Sequence, residues 1–326
     1  MVEPDTGERL PVTHTRHLPQ LDGGMFLTDG GLETDMIFNR GRDLPLFAAF
    51  TLLETEDGTD ELRRYYEPYL ELAAEHELGF VLESPTWRAS PRWAAELGMS
   101  DERLGELNRK SIELMEELRS NAPDGVGPIM ISGQIGPQDD GYNPSARLSA
   151  DEARDYHSTQ IETFAETEAD LVTALTMTYV EEALGVTRAA AAASIPVVIS
   201  FTVETDGRLP SGQSLAEAIE QADAETDSGP AYYMINCAHP THFDDVVSGS
   251  GEWKQRILGL RANASTKSHA ELDEATELDA GDPEDLGERY AALAGQLPNL
   301  TVLGGCCGTD HRHVTQVCGT WMASVG

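Results

Sequence analysis

The chain has 326 residues, 40% of them hydrophobic but only 6% aromatic, so its core must be largely aliphatic and alanine-rich. Fifty-seven acidic against 22 basic residues leave a formal charge of −35, a field that repels nucleic-acid phosphate and anionic membrane surfaces. The length suits one large α/β barrel or two ordinary domains.

Lysine occurs only at Lys110, Lys254 and Lys267, and acids are spread along the whole chain. This pattern predicts a surface adapted to high salt. The melting temperature should rise between low and molar KCl, and a flat response contradicts the idea. Residues 1–20 read as a polar extension that carries Asp, Glu, Arg and His where a signal peptide has an apolar core. The longest apolar run, 189–201, is broken by Ser194 and Pro196 and is shorter than the ~20 residues of a spanning helix. Four cysteines in so long a chain do not make a disulfide scaffold. A cytoplasmic protein with no membrane segment is expected, and its oligomeric state, a homo-oligomer included, is left open.

In chain order, short runs rich in β-branched residues fall at 25–28, 80–83, 129–132, 171–176, 196–203, 232–237, 256–261 and 301–304. Segments of helical spacing lie between them: Leu62, Tyr65, Tyr69 and Leu72 step by three or four residues. Ser149 with Glu152 reads as a capping box, and Asp282 before Pro283 as an N-cap with proline at the first helical position. Eight strands, each followed by a helix or long loop, predict a single (β/α)8 TIM barrel over residues 21–326. The glycines at 23–31 lack the G-x-G-x-x-G spacing of a doubly wound nucleotide fold. Residues 136–149 form a long loop of turn formers, and 263–282 a second, acidic one.

A parallel barrel builds its site at the C-terminal ends of its strands. Strand one there ends in T-D-G-G-L-E-T with Asp29, strand two in E-S-P-T-W-R with Glu83, Trp87 and Arg88, and strand five in T-V-E-T-D-G with Glu204. Cys237 follows strand six, and Cys306 with Cys307 follows strand eight. Three thiolates converging from these strands can bind a tetrahedral Zn2+ and leave one position open. Spacing alone also allows buried structural cysteines or a vicinal Cys306–Cys307 disulfide. Gly304, Gly305 and Gly308 around the pair favour close backbone approach.

T-D-G-G near the N-terminus, I-N-C at strand six and G-G-C-C-G-T near the C-terminus, in this order from about residue 27 to 313, resemble the homocysteine S-methyltransferase family. The resemblance implies a zinc-dependent (β/α)8 barrel that moves a methyl group to the homocysteine thiol, giving methionine. It implies Cys237, Cys306 and Cys307 as zinc ligands, and Asp29 with the Gly30 backbone as the grip on the amino-acid end of the acceptor. The partners would be a small-molecule thiol acceptor and a small onium methyl donor. Trp87, Tyr142 and Tyr179 are candidates for an aromatic mouth suited to a cation.

One departure stands out. Many members of the family carry a glutamate at the end of strand four that binds the substrate amino group, and the matching position here is Leu175. Glu83 and Glu204, both at strand ends, are the candidate substitutes. The departure leaves a methyltransferase acting on another thiol as an alternative, and a non-catalytic zinc or redox sensor as a third reading. In the sensor, His239, His242, His311 or His313 would close the fourth position.

Overall fold

A computed structural model of the chain describes residues 17–142 and 146–325. The polar extension expected at 1–20 lies outside the described residues as far as residue 16; beyond it Pro19–Asp22 form a single 3-10 turn. Eight parallel strands close into a barrel in sequence order: β1 (Phe26–Leu27), β2 (Gly79–Glu83), β3 (Ile129–Ile135), β4 (Leu171–Met177), β5 (Val197–Phe201), β6 (Tyr232–Asn236), β7 (Ile257–Ala262) and β8 (Val302–Gly305), with β8 pairing β1. The expected barrel is the observed one. Every residue of β2, β4, β5, β6 and β8 is buried, as in a sheet covered on both faces.

The helices Glu56–Glu75, Asp101–Ser120, Ala150–Ala165, Val180–Ala193, Leu215–Thr226, Pro283–Leu293 and His311–Val325 supply the outer ring, with only the short Asp244–Ser248 helix after β6. Their starts follow local chemistry. Ser149 and Ser214 each form a reciprocal capping box with the glutamate three residues on, and Asp282 caps the helix that opens at Pro283. Such caps contribute about 1 kcal/mol each.

Apolar packing divides into two clusters, one between sheet and helices and a smaller one inside the barrel. The inner cluster takes Phe26, Val81, Met130, Leu171, Val198, Met234 and Val302 from seven strands, and Leu18 packs with it. Alternation along the strands then places Glu83, Ser132, Thr173, Ser200, Asn236 and Arg261 toward the C-terminal end, all buried. The barrel is therefore apolar at one end and polar at the other. Those polar groups must satisfy one another, which they do through contacts such as Ser132–Thr173 at 2.7 Å and Ser200 Oγ donating to Asn236 Oδ1 at 2.7 Å.

Candidate active site

The polar end of the barrel gathers three cysteines. Cys237 directly follows β6, and Cys306 and Cys307 directly follow β8. Their Sγ atoms lie within 4.8 Å of one another, with Cys237 and Cys307 at 3.7 Å, the separation of two sulfurs about 2.3 Å from one tetrahedral zinc. All four cysteines of the chain are free thiols. Hydrogen bonds from the Cys237 and Cys307 thiols, helped by the charge of Arg261, hold the Cys306 thiol well below its ordinary range. The cluster thus already favours one thiolate, and it can hold a metal ion.

The backbone is bent to make this possible. Thr176 and Cys237 have φ of +63° and +55°, conformations that cost non-glycine residues about 1–3 kcal/mol and concentrate at functional sites. Asn236 holds Thr176 in place: its Oδ1 accepts from the Thr176 N–H at 2.8 Å and its Nδ2 donates to Thr176 Oγ1 at 2.8 Å. The Cys237 carbonyl accepts from Asn263 Nδ2 at 2.9 Å and faces His269 Nε2 at 2.6 Å. Glycine is needed at Gly31, where a Cβ would collide with the Cys306 carbonyl, and at Gly308, where φ is +80°.

Above the thiols opens a cavity of about 160 Å3. Asp29, Gly30 and Trp87 line it, together with Leu175. Asp29 is already engaged: Arg261 donates to its Oδ1 at 2.7 Å and Tyr65 to its Oδ2 at 2.9 Å. The remaining Arg261 donors reach Thr28 Oγ1 and the Gly30 and Gly305 carbonyls. Burial pulls the Arg261 guanidinium down, but Asp29 and Glu83 more than offset it and keep the charge.

Glu83 closes β2, and Glu204 lies three residues past β5. Neither is among the residues lining the cavity. Glu83 is 2% exposed inside the barrel, on the same face of β2 as Val81, and burial, only partly offset by Arg261, pushes its pKa up to about 7. Glu204 instead faces His269 Nδ1 at 3.1 Å. That ring stacks on Tyr142, with centroids 4.1 Å apart and planes 7° from parallel. Tyr142 in turn donates its hydroxyl to Cys307 Sγ at 3.2 Å. Glu204 therefore touches the site through two rings. Trp87 and Tyr142 line the cavity as expected of an aromatic mouth, whereas Tyr179 does not and accepts from the Leu148 N–H at 2.9 Å.

Glu33, four residues after Asp29 and half-buried, lines the cavity as well. Burial, reinforced by the nearby Cys306 and Asp29 charges, pushes its pKa up to about 7. No helical or strand period marks it in the sequence; only its place in T-D-G-G-L-E-T could have pointed to it. Among the described residues no histidine joins the thiol cluster. His239 turns Nδ1 to Thr241, His242 turns Nε2 to the Thr266 carbonyl, His313 turns Nε2 to the Ala280 carbonyl, and His311 is exposed.

The family model for homocysteine S-methyltransferase matches residues 26–320. The chain belongs to that family. It is 25% identical over 310 residues to selenocysteine Se-methyltransferase of Brassica oleracea var. italica, covering 88% of this chain and 86% of that protein. It is 23% identical over 325 residues to homocysteine S-methyltransferase 1 of Arabidopsis thaliana, covering 90% and 93%. Among solved structures, the metallated form of the Escherichia coli homocysteine methyltransferase MmuM superposes with a TM-score of 0.67 at 18% identity, covering 91% of this chain and 96% of that one. That likeness carries the fold. Among the described residues no helix is long and apolar enough to cross a membrane.

Proposed function

We propose that the protein transfers a methyl group from a small onium donor to the thiol of homocysteine, giving methionine, with zinc held by Cys237, Cys306 and Cys307. The observation that carries this reading is the convergence of three thiols from two strands on the floor of a cavity walled by acids and aromatic rings. The donor set fits the metal, since soft thiolates suit zinc. Zinc, when bound there, supplies the acidity that turns an acceptor thiol into the nucleophilic thiolate at neutral pH.

The chain's own residues supply orientation and field. Tyr142 and Trp87 offer π faces to a cationic methyl group, and Glu33, Asp140 and Asp273 add carboxylates along the same wall. With the formal charge of −35, this wall favours cationic over anionic entrants. A donor that leaves neutral needs only to be held in line with the acceptor sulfur, so positioning contributes much of the rate.

Leu175 is 3% exposed at the end of β4 and offers the acceptor ammonium no partner. Glu33 is the acid placed to take that role. Changing Glu33→Gln should raise KM for homocysteine about 10- to 100-fold, the cost of one charged hydrogen bond. It should leave KM for 3-mercaptopropionate, which has no amino group, unchanged. Because only ionised Glu33 pairs with an ammonium, KM for homocysteine should climb as pH falls below about 7 in the wild type. The glutamine variant should show no such rise. If homocysteine and 3-mercaptopropionate are used equally well by the wild type, the acceptor is a thiol without an amino group, the alternative that Leu175 favours.

A screen of S-methylmethionine, S-adenosylmethionine, betaine and dimethylsulfoniopropionate with homocysteine, followed as methionine by mass spectrometry, tests the reading. Selenocysteine belongs in the acceptor panel because the Brassica relative is named for it. One donor should give metal-dependent methionine; none doing so overturns the proposal. The same reading makes the protein a cytoplasmic enzyme of one domain over residues 21–326, working on small molecules without nucleic-acid or membrane partners.

A further inference from the structure

Two guanidiniums line the cavity, and they differ in one respect. Arg261 spends its donors on a carboxylate, a hydroxyl and two carbonyls. Arg88, though only 8% exposed, makes one long hydrogen bond among the described residues, from Nη1 to the Asp139 carbonyl at 3.4 Å. Its Nη2 forms an ion pair with Asp140 Oδ2 at 3.6 Å, beyond hydrogen-bond contact, and among the described residues its buried Nε has no partner.

The flat group is nonetheless held firmly. Its central carbon lies 4.4 Å from the Trp87 ring centroid and 3.6 Å from that of Trp93. Stacking of this kind fixes the plane of a guanidinium and leaves its donor edge for a planar anion. A buried cation with unspent donors is costly unless something completes it, and a carboxylate matches its fork in two parallel hydrogen bonds. Burial also lowers the pKa of Arg88, in keeping with a charge that its neighbours under-compensate.

We propose that Arg88 is a binding residue for the carboxylate of a small substrate of this cavity, carried either by the thiol acceptor or by the methyl donor. The proposal rests on reading the cavity as the methyl-transfer site. It resolves a conflict in that site, since a bare onium ion is repelled by Arg88 whereas a zwitterion that carries its own carboxylate is not. The donor class thereby narrows to carboxylate-bearing onium compounds if the donor is the partner. If the acceptor is the partner, it is a thiol carboxylic acid.

Titration calorimetry on the zinc-loaded full chain separates the two sources. Homocysteine is compared with 3-aminopropane-1-thiol, and S-methylmethionine with (3-aminopropyl)dimethylsulfonium, each pair differing only by the carboxylate. In the wild type at least one pair should show about 10- to 100-fold tighter binding of the carboxylate-bearing member. In Arg88→Gln that ratio should fall to near one, while the decarboxylated members bind as before. Arg88→Lys should retain part of the preference, and it carries the test if the glutamine variant does not fold. No carboxylate preference in either wild-type pair, or a preference that survives in both variants, overturns the assignment. Methionine formation is followed in parallel. If it is absent while the Arg88-dependent preference is present, the methyl-transfer reading fails and the carboxylate site stands.

Discussion

Cys306→Ala is expected to abolish metal binding and methyl transfer together while the barrel stays folded. Cys306 lies just past β8, on the loop face, and is half-buried with its Sγ against Cys237. Removing it leaves two thiols, and among the described residues no histidine or carboxylate joins the cluster to replace the third. Loss of a partner that merely orients a metal ligand costs 10- to 100-fold in metal affinity or activity, so loss of a ligand should cost more than about 100-fold. The metal content per chain, read by elemental analysis beside the circular dichroism spectrum, checks this. Cys318→Ala is the control. Cys318 is fully buried in the His311–Val325 helix, outside the thiol cluster, and its loss should lower stability by about 1 kcal/mol while metal stays. A metal-replete Cys306→Ala protein would remove that residue from the ligand set.

The second large effect is expected on stability. Asp29→Ala should destabilise the fold by about 3–5 kcal/mol, because it strips the carboxylate from a buried guanidinium. Asp29 and Arg261 are 3% and 4% exposed at their side chains and meet at 2.7 Å, so neither charge has water to fall back on. For a chain of this size the melting temperature should drop by about 4–7 °C. Replacing both, as Asp29→Leu with Arg261→Met, should recover much of that loss, since an apolar pair leaves no orphaned charge. Thermal unfolding of the wild type, Asp29→Leu, Arg261→Met and their combination forms a double-mutant cycle. If Asp29→Ala melts like the wild type and only KM for homocysteine rises, Asp29 grips the substrate and does not chiefly neutralise Arg261.

Much of this was legible in the sequence, for identifiable reasons. The eight strands could be read because each is a short, largely buried run flanked by turn formers, and the observed ends differ by only a few residues. The three thiols followed from the rule that barrel sites form at strand C-termini, with G-G-C-C-G-T and I-N-C as anchors. The burial of Glu83 has a signal in the sequence: F-V-L-E alternates, so an acid on the face of Val81 points into the barrel. The Asp29–Arg261 pair joins residues 232 positions apart, and no local pattern announces such a partner. Tyr142 sits in a loop whose path over the thiols depends on its stacking against His269. Glu33 and Arg88 owe their importance to burial beside a cavity, a property of the closed barrel alone.

The most direct measurement is the fate of a labelled methyl group. Zinc-loaded protein, given homocysteine and the active donor carrying a CD3 group, should yield methionine that carries CD3 on sulfur. Chelated protein should yield none until zinc is restored, and Cys306→Ala none under either condition. Equal transfer by chelated and zinc-restored protein, or by Cys306→Ala, would contradict the assignment of methyl transfer to the three-cysteine centre.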